Sequence, residues 1–76
     1  MSFEILLPRL GFSMTEGTIA EWLVADGALI EEGKPLYVLE SEKSAQEIEA
    51  PASGRVRILV DSGATYPVGT VLGTID

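Results

Sequence analysis

The stretch Arg55-Val56-Arg57-Ile58-Leu59-Val60 alternates in polarity, with Val56, Ile58 and Val60 on one side of an extended chain and both arginines on the other. That is the pattern of a strand with one wet face. Glycines and prolines cut the rest into short pieces rich in Ile, Val, Leu and Tyr: Phe3 to Leu7, Gly17 to Val24, Pro35 to Glu40, Gln46 to Ala50 and Thr70 to Ile75. Most are too short for ordinary helices. The run Trp22-Leu23-Val24 gives helix only weak support, and the surrounding glycines favour strand. Asp26-Gly27, Glu32-Gly33, Ser62-Gly63 and Val68-Gly69 mark turns where a residue without Cβ can take positive φ. The expected fold is all-β: a flattened barrel or sandwich of two four-stranded antiparallel sheets, about eight short strands in all.

The halves of the chain also match each other. Gly27-Ala28-Leu29-Ile30-Glu31-Glu32-Gly33-Lys34-Pro35-Leu36 runs parallel in type to Gly63-Ala64-Thr65-Tyr66-Pro67-Val68-Gly69-Thr70-Val71-Leu72. Upstream, Gly17-Thr18-Ile19 matches Gly54-Arg55-Val56, with the second half one residue shorter between its glycines. Two copies of a unit this small predict closure of one core around a pseudo-two-fold axis, since neither copy can bury its apolar face alone. Residues 1–76 are then a single domain, and the stretch Glu40-Ser41-Glu42-Lys43-Ser44-Ala45 falls in the link between the copies.

Composition narrows the chemistry. The chain has no Cys and no His, which removes disulfides, the usual zinc ligands and the usual neutral-pH nucleophile systems. With a formal charge of -7 and only five Lys and Arg, it lacks the clustered cations that phosphate neutralisation needs, so nucleic acid is an unexpected partner. Acidity instead favours a basic protein partner. No segment approaches the roughly 20 apolar residues of a membrane span, and Met1-Ser2-Phe3-Glu4 lacks a signal-peptide pattern. A soluble, cytoplasmic, monomeric domain is expected. Asp26, Glu31, Glu32, Asp61 and Asp76 read as solvated surface, Trp22 as core, and Gly11, Gly17, Gly27 and Gly54 as turns outside any phosphate-loop spacing.

Between the apolar run Leu36 to Leu39 and the alternating Gln46 to Ala50, Ser41-Glu42-Lys43-Ser44 is the expected hairpin connection, with Lys43 at its exposed tip. Leu39-Glu40-Ser41-Glu42-Lys43-Ser44, followed by Glu47-Ile48-Glu49-Ala50-Pro51-Ala52-Ser53-Gly54, resembles the lipoyl-attachment motif of the biotinyl/lipoyl domain family. Gly11-Phe12-Ser13-Met14-Thr15-Glu16-Gly17-Thr18-Ile19 and Trp22-Leu23-Val24 look like the first part of lipoyl domains from acyltransferases of 2-oxo acid dehydrogenase complexes, so the resemblance covers essentially all 76 residues. In lipoyl domains the residue before the lysine is commonly Asp and the one after often Ala; here they are Glu42 and Ser44. Biotinyl domains carry Met on both sides, which makes biotin the poorer match.

The resemblance implies a non-catalytic carrier. Lys43 would hold lipoic acid in an amide, with Glu40, Glu42 and Ser44 as the context a modifying enzyme reads. The implied partners are a lipoate-protein ligase, or an octanoyltransferase with lipoyl synthase, and then a thiamine-dependent 2-oxo acid dehydrogenase, an acyltransferase and dihydrolipoamide dehydrogenase. Phe12 and Met14 are placed by resemblance in a loop beside the lysine turn, either exposed to the dehydrogenase or folded inward. The competing expectations are a biotinyl carrier domain of a carboxylase and an unmodified interaction module.

Overall fold

The computed structural model describes residues 2–9, 11, 14–41 and 44–76, and among these it contains strands and no helix. Eight strands follow in order: β1 (Phe3–Leu6), β2 (Glu16–Trp22), β3 (Leu29–Ile30), β4 (Pro35–Glu40), β5 (Ala45–Glu49), β6 (Gly54–Ile58), β7 (Thr65–Pro67) and β8 (Val71–Ile75). They form two antiparallel four-stranded sheets with strand orders β1-β8-β6-β3 and β5-β4-β2-β7. The sheets stack as a flattened sandwich and do not close into a barrel.

Exchanging β1 with β5, β2 with β6, β3 with β7 and β4 with β8 turns one strand order into the other, so the sequence repeat is a pseudo-two-fold in space. Each sheet takes its two central strands from one half and both outer strands from the other. The hydrogen bonds between halves are reciprocal. Gly27 N–H donates to the Val56 carbonyl at 2.7 Å, and Gly63 N–H donates to the Ile19 carbonyl at 2.6 Å. Val56 N–H returns a bond to Ala28 at 2.8 Å, and Ile19 N–H returns one to Ala64 at 3.1 Å. The glycine turns repeat too, with φ of 88° and 86° at Gly27 and Gly63 and 89° and 92° at Gly33 and Gly69. All four are positive, as the turn residues predict.

The extra residue in the first half has a structural cause. In β2 against β4 the register shifts between Ile19 and Glu21, whereas β6 against β8 runs without interruption from Val56 to Ile58. A β-bulge absorbs the added residue and leaves the two cores superposable in kind. Buried residues accordingly come in equivalent pairs: Ile19 with Val56, Leu36 with Leu72, Leu39 with Ile75 and Leu7 with Ala50. The match is incomplete elsewhere: buried Ile5 and Ile30 correspond to half-buried Ile48 and Tyr66, and Tyr37 of β4 corresponds to Gly73 of β8.

Two glycines expected as turns lie inside strands instead. Gly17 sits in β2, where a Cβ would come within 2.8 Å of Leu39 Cδ1 and 2.8 Å of Met14 Cε. Gly54 opens β6 at φ 152°, and a Cβ there would strike the backbone carbonyl of Asp76. Close approach of neighbouring atoms, rather than chain reversal, demands glycine at both. Gly73 is similar, since its Cβ would meet the Arg57 carbonyl oxygen, while Gly63 faces open space and is constrained only by φ.

These differences predict an ordering. Gly73→Ala should lower unfolding free energy by about 2 kcal/mol or more, because two paired strands must part. Gly63→Ala should cost about 1 kcal/mol, from the left-handed backbone alone. Urea denaturation of both variants, read as a midpoint shift at constant slope, checks the order.

Candidate functional site: the β4–β5 hairpin

β4 and β5 pair antiparallel from Pro35 opposite Glu49 to Glu40 opposite Ala45. Beyond that last pair, Ser41 N–H donates to the Ser44 carbonyl at 2.8 Å, and the Ser41 hydroxyl donates to the same oxygen at 3.2 Å. The connection between the strands is therefore as short as the sequence suggests, closed at Ser41 and Ser44. Glu42 and Lys43 are the two residues between, and both lie outside the described residues.

What holds the hairpin in place is its inner face. Leu36, Tyr37 and Leu39 have no solvent exposure, and Ile48, opposite Tyr37, packs against the same core. Residues directly opposite in a ladder share a face, so the outer side of the hairpin bears Glu40 with Ala45, Val38 with Glu47, and Pro35 with Glu49. β2 extends these rows, placing Glu21 beside Val38 and Thr18 beside Glu40, and the Thr18 hydroxyl meets that of Thr65 at 2.7 Å. The result is a rigid platform whose wet face is lined with carboxylates. Of the sequence-predicted context, Glu40 and Ser44 stand exposed at the hairpin's end.

The loop before β2 reaches the same end of the hairpin. Met14 is half-buried and packs on the core, and the crowding at Gly17 shows that its methyl and Leu39 Cδ1 lie over the same backbone position. Met14 therefore turns partly inward, keeping some of its surface open to solvent. Phe12 lies outside the described residues. Gly17 was the available signal: a glycine inside an otherwise regular strand marks a close neighbour.

Tyr37 is the one residue of the hairpin that sequence reasoning passed over. Its ring lies 5.3 Å from that of Trp22, tilted by 51°, while the Trp22 indole N–H donates to the Val60 carbonyl at 3.2 Å. Trp22 is half-buried against the core, close to its expected place. The Tyr37 hydroxyl is buried without a partner among the described residues, and burial pushes the phenol up to about 12. Asp26, Glu31, Glu32, Asp61 and Asp76 are all exposed, as expected, and Asp26 also accepts from the Ile58 N–H at 2.9 Å. No group of three or more potential metal ligands occurs among the described residues.

The model of the family described as biotin-requiring enzyme (Biotin_lipoyl) matches residues 3–75. The chain belongs to this biotin/lipoyl family. Within it the likeness is to lipoyl domains. The chain is 45% identical, over 95% of its length, to the dihydrolipoyllysine-residue succinyltransferase component of the 2-oxoglutarate dehydrogenase complex of Bacillus subtilis. It is 42% identical, over its full length, to the dihydrolipoyllysine-residue acetyltransferase component of the pyruvate dehydrogenase complex of Staphylococcus epidermidis. It spans only 18% of the length of each. The solution structure of the lipoyl domain of the 2-oxoglutarate dehydrogenase complex from Azotobacter vinelandii superposes with a TM-score of 0.80 at 27% identity, covering 96% of this chain and 94% of that one. A lipoyl domain of this kind is a carrier, not itself a catalyst.

The two faces of the hairpin respond differently to substitution. Leu39→Ala should cost about 2–5 kcal/mol in chemical denaturation, because it opens a cavity where β4, Gly17 and Met14 meet. Tyr37→Phe should be neutral or stabilising at neutral pH, since it removes a hydroxyl that has no partner among the described residues. The folded-state phenol pKa exceeds the unfolded one, so wild-type stability should be intact below pH 10 and decline as pH rises from 10 toward about 12. Alkaline unfolding curves of Tyr37→Phe should show a smaller decline in that window.

Proposed function

We propose that the chain is a lipoyl carrier domain in which the Lys43 side-chain nitrogen bears lipoic acid as an amide and the folded domain presents it to the enzymes of a 2-oxo acid dehydrogenase complex. The observation that carries this reading is the hairpin closed at Ser41 and Ser44, because it brackets the single lysine of a lipoyl-type motif between the half-buried Ser41 and the exposed Ser44. Attachment needs a lysine that another enzyme's active site can surround, and from Ser44 to Glu47 every residue is exposed. The described residues fit the group. Lipoic acid, when bound, supplies a redox-active disulfide able to accept, carry and release an acyl unit.

The chain's own residues do the rest. A lysine in water has a pKa near ~10.4, so at neutral pH its nitrogen is almost wholly protonated and does not acylate itself. Activation therefore falls to a separate ligase or transferase, and the domain's task is recognition. Glu40, Glu47 and Glu21 give the outer sheet face a negative field that steers basic partners. Tethering then replaces diffusion between active sites with a high effective concentration. The partners proposed are a lipoate-protein ligase, or octanoyltransferase with lipoyl synthase, and the dehydrogenase, acyltransferase and dihydrolipoamide dehydrogenase of one such complex. The relatives' names include both 2-oxoglutarate and pyruvate complexes, so the oxo acid is left open.

Intact-protein mass after incubation with lipoate and a lipoate-protein ligase should rise by one lipoyl amide, and peptide mapping should place it on Lys43. Lys43→Arg should abolish the gain without loss of fold. A gain with biotin and biotin ligase instead would assign a biotinyl domain, and no gain with either would leave an unmodified interaction module.

A further inference from the structure

A cavity of about 290 Å³ lies between β1 and β5, the outer strands of opposite sheets that the pseudo-two-fold relates. Its walls are equivalent in the two halves: Ile5 and Pro8 on one side, Ile48 and Pro51 on the other. Its remaining lining includes Leu36 and Tyr37. A volume at or below the roughly 300–1,000 Å³ of small-molecule pockets fits one large side chain better than a cofactor.

The internal repeat supplies a control for what the fold requires at the rim. Phe3 and Leu6 are 48% and 49% exposed on β1, and the equivalent positions on β5 are Gln46 and Glu49, also exposed. The same structural positions therefore accept polar residues, so apolar exposure on β1 is not imposed by the architecture. Exposed apolar side chains gathered at a cavity mark a contact surface. The fully buried Tyr37, which lines the cavity, has a hydroxyl with no partner among the described residues. Finally, Glu4 and Glu49 stand exposed at the margin of this apolar lining, in a chain of net charge -7.

We propose that this cleft docks an extended segment of a partner protein, seating one bulky apolar side chain in the cavity with lysine or arginine on either side against Glu4 and Glu49. The segment lies along β1, whose other side is already paired with β8, in the manner of an added strand. The apolar anchor supplies burial and the flanking cations supply register.

The test uses the 76-residue chain and a blocked five-residue peptide with a central tryptophan, a valine on each side and a lysine at each end. Amide shifts followed by NMR should saturate at residues 3–6 and 46–49. Replacing the tryptophan by glycine, or the lysines by glutamates, should weaken binding by about tenfold or more. Phe3→Gln with Leu6→Glu, the residue types of the other half, should do the same. Glu4→Lys with Glu49→Lys, both at exposed positions, should reverse the preference toward the glutamate peptide. The proposal is overturned if no shift saturates up to roughly 5 mM peptide, a range that reaches millimolar affinity. It is equally overturned if the glycine peptide binds as well, if the shifts centre on Leu23, Leu29 or Leu59, or if sedimentation shows that the cleft pairs with a second copy of the chain.

Discussion

Everything in this domain depends on the two halves lending each other their outer strands. β3 belongs to the first half but pairs with β6 of the second, and β7 of the second pairs with β2 of the first. The reciprocal bonds from Gly27 to Val56 and from Gly63 to Ile19 are the backbone expression of that exchange. With only two of its four strands paired to each other and half a core, neither copy could stand alone in water. A chain of 76 residues without a disulfide gets its stability by making one core out of two incomplete ones.

Because the halves must satisfy the same ladder, agreement between them reports what the architecture needs and disagreement reports something else. The four turn glycines agree to within a few degrees of φ, and most of the buried aliphatic residues pair off across the axis. The departures gather around β4 and β5. The bulge in β2 lies against β4, Tyr37 stands where the other half has Gly73, and the cleft beside β5 is apolar on one rim and polar on the other. Symmetry holds the platform while its exceptions distinguish one end of it.

Much of this was legible in the sequence because the deciding residues act locally. A glycine at each end of a six-residue interval fixes two turns, and alternation at Arg55 to Val60 fixes a strand with a wet face. Less legible were β3 and β7, two and three residues long, whose pairing comes wholly from the other half. Gly17 and Gly54 read as turns for a related reason: atoms that exclude a Cβ there come from Leu39 and Asp76, both distant in sequence. The inward packing of Met14 and the isolation of the Tyr37 hydroxyl are likewise tertiary facts. The motif around Lys43 was legible as chemistry by its resemblance, and its setting as a hairpin followed from the flanking strands.

The proposed carrier role depends on the hairpin acting as a folded object. Its connection lacks the Asn-Gly or Asp-Gly that would make the turn form on its own, and a lone two-stranded hairpin is marginal in water. Leu36, Tyr37 and Leu39, buried in the shared core, impose the geometry instead. The most direct measurement compares lipoate transfer by a lipoate-protein ligase to the folded chain and to the isolated peptide 35–50 at equal concentration. The account predicts transfer to Lys43 of the folded chain and little or none to the peptide; equal rates on both would show that the linear motif, and not the interlocked fold, is what the enzyme recognises.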